Sequence, residues 1–159
     1  MELDKDFKEF VELLNEHEVQ YLVIGGYAVN FYGYPRYTKD IDFWLWMTKD
    51  NIDKLLKAIK SFGFGSLNLE IEDFMSPENI IQLGNEPYRI DLLVDVEGVE
   101  FSECFSRKTD AVLDGVIINF LALEDLITAK KKAGRLQDLA DAEQLEKIKK
   151  KSDGGKTKT

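Results

Sequence analysis

The sequence predicts one α/β (α+β) domain in which a small mixed β-sheet is flanked by helices and two helices close the chain. Three observations support this fold class. Short apolar runs of strand length alternate with segments whose apolar residues recur at helical spacing. Two strand candidates flank the turn-like residues 84–87, which is typical of an antiparallel pair. The length of 159 residues corresponds to one ordinary domain, which we assign to residues 1–151 with a flexible tail at 152–159.

The chain begins with a predicted helix, a buried strand and a short second helix. Asp4 is a good N-cap for an amphipathic helix that ends near His17. The apolar residues of this helix recur at helical spacing: Phe7, Phe10, Val11 and Leu14. Residues 21–24 form an apolar run that a glycine pair at 25–26 halts, which is typical of a buried strand that turns sharply. Residues 27–32 then predict a short helix that ends at the next glycine.

Residues 40–46 predict an interior strand, because large apolar side chains would lie on both of its faces. Because alternate residues of a strand point to opposite faces, one face carries Asp40, Asp42, Trp44 and Trp46, and the other carries Ile41, Phe43 and Leu45. We expect the two tryptophans to pack in the core rather than to stack on a base. Thr48 or Asp50 then caps a helix that ends before Gly63.

Two antiparallel strand pairs are predicted in the second half of the chain. Residues 80–83 and 88–96 pair across the turn that separates them. Residues 111–113 and 116–120 form a hairpin around an Asp-Gly turn.

Two helices are predicted to close the chain. They span residues 123–132 and 137–150, with Gly134 between them.

Residues 101–105 are compatible with a helix or a strand. The single cysteine, Cys104, has no nearby His or basic cluster, and we expect it to be a small buried apolar side chain.

The composition is that of a soluble globular protein, and it excludes several classes of function. Hydrophobic residues make up 44% and charged residues 32%, which excludes an intrinsically disordered chain. The 21 Lys and Arg against 30 Asp and Glu give a formal net charge of −9, which disfavours a protein that coats duplex DNA. No apolar run approaches the ~20 residues that span a bilayer, and the acidic start lacks a signal-peptide pattern, so we expect a cytoplasmic protein with no membrane partner.

Asp40 and Asp42 are the most specific candidates for a chemical site. Side chains at i and i+2 on a strand point the same way about 6–7 Å apart, close enough for two carboxylates to hold one or two hard divalent cations. Magnesium is the natural partner, since it keeps several waters and binds through a few carboxylates plus substrate phosphates. Asp91 lies on a later strand that is able to pair with this one, and it would complete a carboxylate triad.

Candidate phosphate-binding residues surround these carboxylates in the sequence. Gly25 and Gly26 let a phosphate approach the backbone closely, and the helix start that follows offers N–H groups to an anion. Arg36 would supply charge-assisted contacts to the same phosphates, and Thr38 belongs to the same motif.

Each feature also has an ordinary structural explanation. An Asp-X-Asp pair on a strand is more often a solvated face, and a glycine pair alone is a weaker signal still. Asp91 fits equally well as a salt-bridge partner of Arg89 or Lys39. The order of the features favours a site, because strand, Gly-Gly, helix, Arg-X-Thr-X-Asp-Ile-Asp and a later Arg-Ile-Asp-Leu-Leu are independent signals that agree.

The run VIGGYAVNFYGYPRYTKDIDFWL resembles the nucleotidyltransferase signature of the DNA polymerase β superfamily, in which Gly-Gly or Gly-Ser precedes Asp-hydrophobic-Asp. More narrowly, it is similar to the minimal nucleotidyltransferases of the AbiEii-like toxin group, in which Gly-Gly-X-Ala and Arg-X-Thr-X-Asp-Ile-Asp recur. The resemblance extends through RIDLLV to DLITAKKKAGRLQDLADAEQL, which is similar to the closing helices of that group, and covers most of residues 20–146. It implies the nucleotidyltransferase fold.

The resemblance also implies a reaction and a set of site residues. A nucleoside monophosphate would move from a nucleoside triphosphate to a hydroxyl, with release of pyrophosphate. Magnesium, as two ions with Mn²⁺ as the alternative, would be held by the three carboxylates Asp40, Asp42 and Asp91. The nucleotide and its phosphates would contact Gly25, Gly26, Arg36, Thr38, Lys130 and Arg135. The lysines next to Lys130 leave open which of them matches the family position.

Acceptors that the resemblance implies are tRNA ends, protein hydroxyls and small molecules such as antibiotics. The toxin-like similarity adds an antitoxin as a candidate partner protein. Two other readings stay open: a catalytically silent module that binds nucleotide or regulates a partner, and a metal-dependent phosphohydrolase. The three carboxylates argue against a silent module, because such a module has no chemical need of them.

Overall fold

The computed structural model describes residues 3–64, 67–84 and 88–157. Within them the chain forms six α-helices and six strands, with a π-helical turn at Lys60–Phe64 and a 3₁₀ turn at Ile71–Phe74. The helices are α1 (Lys5–Glu16), α2 (Gly25–Phe31), α3 (Lys49–Ile59), α4 (Phe101–Ser106), α5 (Leu123–Ala133) and α6 (Leu136–Thr157). The strands are β1 (Tyr21–Ile24), β2 (Asp40–Leu45), β3 (Ile80–Leu83), β4 (Arg89–Leu93), β5 (Thr109–Leu113) and β6 (Val116–Phe120).

The six strands form one mixed sheet in the order β3-β4-β2-β1-β6-β5. The pairs β1/β2, β3/β4 and β5/β6 are antiparallel, whereas β1/β6 and β2/β4 are parallel. The mixed sheet, the two predicted antiparallel pairs and the interior position of β2 are therefore confirmed. Residues 85–87 of the β3–β4 turn lie outside the described residues.

The parallel pairing of β2 and β4 determines which side chains meet on the sheet. Its register places Asp40 beside Arg89 and Asp42 beside Asp91. Residues in register on neighbouring parallel strands point to the same face. Two motifs that are distant in the sequence are therefore brought to one patch of the sheet.

The first and third helices begin at the caps that the sequence predicted. The Asp4 side chain accepts a hydrogen bond from the Asp6 N–H (3.0 Å), and the Thr48 side chain accepts one from the Asn51 N–H (3.2 Å). The buried face of α1 consists of the predicted apolar residues Phe7, Phe10, Val11 and Leu14. The first helix therefore packs on the sheet through the stripe that its spacing indicates.

Two boundaries near the carboxylate strands differ from the sequence prediction for local reasons. The helix after β1 begins at Gly25 rather than at residue 27, because Gly25 adopts a left-handed φ of 69° that joins the strand directly to the helix. β2 ends at Leu45 because the Trp46 carbonyl accepts a hydrogen bond from the buried Asn51 side chain (2.9 Å) instead of continuing the strand.

Two further differences concern helices. The undecided residues 101–105 lie in α4, and α6 continues to Thr157, past the end predicted at residue 150 and into the predicted tail. The stretch before the tail has no proline and is rich in Leu, Ala, Gln, Glu and Lys, which are strong helix formers, so the helix has no local stop signal at that point. Residues 158 and 159 lie outside the described residues.

The predictions for the tryptophans and the cysteine are confirmed. Trp44 is buried with its ring edge-to-face against Phe101 (centroids 5.2 Å apart), and Trp46 stacks on the same Phe101 ring (5.3 Å). Cys104 is fully buried, and burial raises the pKa of its thiol to about 11. Of the helices in the described part of the chain, none combines the length and apolar character that a membrane crossing needs.

Candidate active site

The glycine pair allows the end of β1 and the start of α2 to approach β2 closely. Gly25 has a φ of +69°, and a Cβ at this position would overlap the Asp42 Oδ2 atom. A Cβ on Gly26 would lie 3.0 Å from both Cβ and Oγ1 of Thr38. Both glycines are therefore needed so that the Asp42 carboxylate and Thr38 can sit against the backbone of this turn.

Three carboxylates meet at this turn. Asp40 and Asp42 are alternate residues of β2, and Asp91 is the register partner of Asp42 on β4. Burial raises the pKa of Asp42 to about 7, and the nearby charges of Asp91 and Asp40 add to the rise. The structure therefore places all three predicted acids in one patch, where they repel one another.

Arg89 joins two of these acids. Its Nε lies 2.7 Å from Asp91 Oδ1, and its Nη2 lies 3.1 Å from Asp91 Oδ2 and 3.0 Å from Asp40 Oδ2. The alternative pairing of Asp91 with Arg89 therefore occurs, and it occurs inside the carboxylate group. The contact of Arg89 with Asp40 was not predicted, because it depends on the β2/β4 register. The sequence signal covers only the Arg89–Asp91 pair, because their i, i+2 spacing places both on one face of β4.

The described residues contain no group of three or more His, Cys, Asp or Glu side chains that is arranged to hold a metal ion. Arg89 instead takes both oxygens of Asp91 and one oxygen of Asp40. The second oxygen of Asp40, Oδ1, is buried and has no hydrogen-bond partner within the described part of the protein. A buried, unpaired carboxylate oxygen is costly, and it marks a position where a cation or a water molecule would be favourable.

Three basic side chains face the same cavity, and two carboxylates of α6 hold them. Arg36 Nη1 lies 2.5 Å from Asp141 Oδ2, and Lys130 Nζ lies 3.1 Å from the same carboxylate oxygen. Lys130 Nζ is also 3.3 Å from Asp138 Oδ1, and Arg135 Nε is 2.7 Å from Asp138 Oδ2. The α2–β2 loop, α5 and the residue that precedes α6 are therefore held together at the cavity by the two carboxylates of α6.

The two carboxylates of α6 are almost completely removed from solvent. Asp138 is 3% exposed and Asp141 is 0% exposed. Burial acts to raise the pKa of Asp138, but the hydrogen bond from Arg135 and the nearby Lys130 charge hold it below its usual value. Neither residue was predicted as part of the site. Their i, i+3 spacing, which puts them on one face of the closing helix, is the signal that identifies them.

The structure distinguishes the three adjacent lysines of α5. Lys130 points to the cavity, where it pairs with Asp138 and Asp141. Lys131 pairs with Glu146 of α6, and the stem of Lys132 lies over Gly98. The helical phase of α5 therefore selects Lys130 as the lysine that lines the site.

Arg36 and Thr38 lie on the loop between α2 and β2, and hydrogen bonds fix both. The Asn30 side chain accepts a hydrogen bond from the Arg36 N–H (2.8 Å) and donates one to the Arg36 carbonyl (2.5 Å). The Thr38 hydroxyl donates to the Asp40 carbonyl (3.0 Å), so its proton is already engaged. Asn30 was not predicted as part of the site. Its side-chain amide lies on α2, just before the loop, and bonds to the loop six residues further along the chain.

The cavity at this site has a volume of about 360 Å³. Its walls include the predicted glycines, two of the acids and all of the predicted basic residues: Gly25, Gly26, Arg36, Thr38, Asp40, Asp42, Lys130 and Arg135, with Gln137 and Asp138. A second cavity of about 250 Å³ shares five residues with the first: Gly25, Asp42, Lys130, Arg135 and Asp138. Apart from Asp95, the rest of its wall is apolar and comes from Ile24, Leu93, Val96, Leu121, Leu126, Ala129 and Ala133.

A larger groove of about 680 Å³ lies on the opposite side of α5 and is not part of this site. Six of its charged side chains already pair with one another: Arg107 with Asp125, Lys131 with Glu146, and Lys149 with Glu124. Size alone therefore does not identify the site, whereas the repelling acids and the convergent basic side chains do.

Several solved structures have a similar fold. The lincosamide antibiotic adenylyltransferase LnuA, solved with lincomycin bound, has a TM-score of 0.60 at 17% identity over 92% of this chain and 98% of that chain. A nucleotidyltransferase from Thermotoga maritima, described as putative, has a TM-score of 0.57 at 17% identity over 91% of each chain. ANT(2″)-Ia, in complex with adenylyl-2″-tobramycin, has a TM-score of 0.53 at 13% identity over 90% of each chain. At these identities the comparisons show a shared fold.

The comparison with family models is more direct. A search of curated protein sequences finds no match. The model of the family described as "Nucleotidyl transferase of unknown function" (DUF2204) matches residues 4–159, which is nearly the whole chain. The narrower similarity to the AbiEii-like toxin group stays a prediction. The glycine turn, the three acids and this match lead to one conclusion: the chain belongs to the DUF2204 family of nucleotidyl transferases.

Proposed function

We propose that the protein is a magnesium-dependent nucleotidyltransferase that moves a nucleoside monophosphate from a nucleoside triphosphate to a hydroxyl acceptor and releases pyrophosphate. The observation that carries the proposal is the meeting of Asp40, Asp42 and Asp91 beside the Gly25-Gly26 turn. Such a patch is unfavourable in isolation, since burial and mutual repulsion raise the pKa of Asp42. A divalent cation would relieve both penalties.

The donor set fits magnesium. Asp40, Asp42 and Asp91 offer hard oxygen ligands, and the unpaired Oδ1 of Asp40 is a buried acceptor without a partner among the described residues. These three residues would hold the ion or ions, and Mn²⁺ would fit the same oxygens. When bound, the metal would stabilise the charge on the attacking and leaving oxygens of the displacement.

The basic side chains on the other wall would hold the triphosphate. Arg36, Lys130 and Arg135 converge on the cavity, and Asp138 and Asp141 orient them from the buried side. Arg135 keeps 82% of its side chain exposed, so it is able to reach a ligand without leaving Asp138. The Gly25-Gly26 backbone, which lines the same cavity, would lie against the phosphates.

In the transfer step, the acceptor oxygen forms a bond to the α-phosphorus while the bond from that phosphorus to the pyrophosphate oxygen breaks. Asp91, which lies next to Asp42 across the strands, would receive the hydroxyl proton. Positive charge from Arg36, Lys130 and Arg135 would stabilise the leaving pyrophosphate. The chain's own residues thus supply binding, orientation and a proton acceptor.

The surroundings favour a small molecule with a free hydroxyl as the acceptor. The cavity that shares Asp42 with the phosphate side is small and has mainly apolar walls. Two proteins of the same fold also bear on this choice, because LnuA is solved with lincomycin and ANT(2″)-Ia with adenylyl-2″-tobramycin. A tRNA end or a protein hydroxyl, and with it a toxin role beside an antitoxin, are the alternatives that the experiment separates.

In the experiment, the purified protein is incubated with total cell extract, magnesium and each α-labelled nucleoside triphosphate in turn. We expect label in the small-molecule fraction together with pyrophosphate, and neither product with Asp42→Asn. Label in RNA or protein would assign a macromolecular acceptor. Free phosphate in place of pyrophosphate would indicate a phosphohydrolase, and the absence of any product would indicate a silent binding module.

A further inference from the structure

We infer that Arg89 is an internal counter-ion for the cluster of three carboxylates formed by Asp40, Asp42 and Asp91. We further infer that Arg89 has to release Asp91 before the Asp91 carboxylate can bind a divalent cation. The inference rests on the proposed function, because it takes Asp40, Asp42 and Asp91 as the metal ligands. It adds a positioning residue, and it makes metal binding depend on the arrival of the nucleotide.

The contacts of Arg89 occupy the oxygens that a metal would need. Two nitrogens of the guanidinium bind the two oxygens of Asp91 at 2.7 and 3.1 Å. The same Nη2 binds Asp40 Oδ2 at 3.0 Å. Planar two-point pairs of this kind are among the strongest charge-assisted hydrogen bonds in proteins. Asp91 therefore has no oxygen without a hydrogen bond to offer to a cation.

The backbone makes this arrangement a built-in feature. Arg89 and Asp91 are alternate residues of β4 and lie on one face. The parallel register then sets Arg89 beside Asp40 and Asp91 beside Asp42. A guanidinium at residue 89 is thus placed between the two acids by the sheet itself.

The charges explain why Arg89 pairs with Asp91 and Asp40 when no cation or nucleotide is bound. Three acids at close distance repel one another, and one guanidinium offsets part of that repulsion. Arg89 stays charged at all working pH values, so it competes with a cation and cannot be removed by deprotonation. Its side chain is one-quarter exposed, so part of the guanidinium is already accessible to a solvent-borne anion.

A triphosphate would give Arg89 a second partner. Phosphate oxygens match the guanidinium fork as well as a carboxylate does. Nucleotide binding would then free Asp91 at the moment when the phosphates also add ligands for the metal. Metal and nucleotide should consequently bind with positive coupling, and each should bind weakly alone.

The test is a Mn²⁺ titration of the full-length protein, followed by the electron paramagnetic resonance signal of free Mn²⁺. The variant is Arg89→Met, which keeps the side-chain length and removes the charge. The matched control is Arg107→Met, because Arg107 makes the same two-point pair with Asp125 (3.0 and 3.1 Å) away from the acids. Without nucleotide we expect Arg89→Met to bind Mn²⁺ about tenfold more tightly than wild type, and Arg107→Met to bind as wild type does.

A non-hydrolysable triphosphate forms the second arm of the titration. It should tighten Mn²⁺ binding by about tenfold in wild type and by much less in Arg89→Met. The wild-type arm also keeps the test decisive if Arg89→Met does not fold, since absence of coupling in wild type overturns the inference. Equal Mn²⁺ affinities of wild type and Arg89→Met would overturn the role of Arg89 and leave the proposed function intact. Absence of Mn²⁺ binding in both proteins, even with triphosphate, would overturn the metal site and the inference together.

Discussion

At the scale of single residues, Asp42 lies in unfavourable surroundings for a charged carboxylate. Burial raises its pKa from 3.8 to about 7, with further contributions from Asp91 and Asp40. A carboxyl with a higher pKa in the folded state binds more protons when folded than when unfolded between those two values. The free energy of unfolding should therefore fall as the pH rises from about 4 to about 7, by this residue's contribution.

The substitution Asp42→Asn should remove this contribution. In EDTA at a pH above 7 we expect Asp42→Asn to melt higher than wild type, because it no longer carries a buried, repelled charge. With magnesium and a non-hydrolysable triphosphate the order should reverse, since the variant lacks one metal ligand. Thermal melts in the two buffers check this prediction, and shifts in the same direction in both would contradict a shared metal site.

Gly25 is the second residue for which the structure makes a sharp prediction. Gly25→Ala would strain a φ of +69° and would also push its Cβ into the Asp42 carboxylate. Gly115→Ala is the matched control, because Gly115 has a φ of +79° and a Cβ added there would meet no atom within 4 Å. Each variant should lose about 1–2 kcal/mol of stability from the backbone strain. Only Gly25→Ala should also lose nucleotidyl transfer, measured as pyrophosphate release. An equal loss of transfer in both variants would contradict a specific role of Gly25.

At the scale of the elements, α6 holds the basic side chains of the site in place. Its buried Asp138 and Asp141 bind side chains from the α2–β2 loop, from α5 and from the residue that precedes α6. These basic side chains would otherwise repel one another at the cavity wall. The closing helices are therefore part of the site and not only a cover for the sheet.

Asp141→Asn tests this contribution of α6. Arg36 and Lys130 would lose a fully buried partner, and removal of one member of a buried ion pair typically costs about 3–5 kcal/mol, which is an upper bound here because Arg36 is 28% exposed. The control is Asp53→Asn, whose pair with Lys57 on α3 is exposed and should change stability by less than about 1 kcal/mol. Urea denaturation measures both, and equal effects would show that the α6 network does not hold the site.

The element order was predictable because its signals are local. Apolar spacing and caps located α1 and α3, and Asp-Gly and similar turns located the two antiparallel pairs. The contact between Arg89 and Asp40 was not predictable, because it depends on the parallel register of β2 and β4. The choice of Lys130 among its neighbours depends on the phase of α5 against the sheet. Local patterns thus indicated the acids and the possible pairing of Asp91 with Arg89, and only the tertiary structure showed that Arg89 also binds Asp40.

At the scale of the whole molecule, an acidic protein presents a basic cavity wall to a polyanion. The chain has a formal net charge of −9, yet three basic side chains converge where the triphosphate is proposed to lie. Under the proposed function, the acids beside them would need a divalent cation before they could accommodate a nucleotide. Stability of the whole domain should therefore respond to metal and nucleotide jointly.

Thermal melts of the wild-type protein check this joint response. Magnesium alone and a non-hydrolysable triphosphate alone should each raise the melting temperature little. Both together, at about a hundredfold excess over the dissociation constant, should stabilise the fold by about 2.7 kcal/mol. This corresponds to roughly 5–10 °C for a domain of this size. Shifts that simply add would contradict the coupling.

The most direct test of the central claim is the release of pyrophosphate and the transfer of α-label to an acceptor, measured for wild type, Asp40→Asn and Asp42→Asn at saturating magnesium. Asp53→Asn is the control for a surface carboxylate. We predict that each of the first two variants folds as wild type does and retains less than about a tenth of its turnover, because each loses a metal ligand. Wild-type turnover in either variant, or absence of transfer in wild type with every nucleoside triphosphate and acceptor fraction, would contradict the assignment of this site to nucleotidyl transfer.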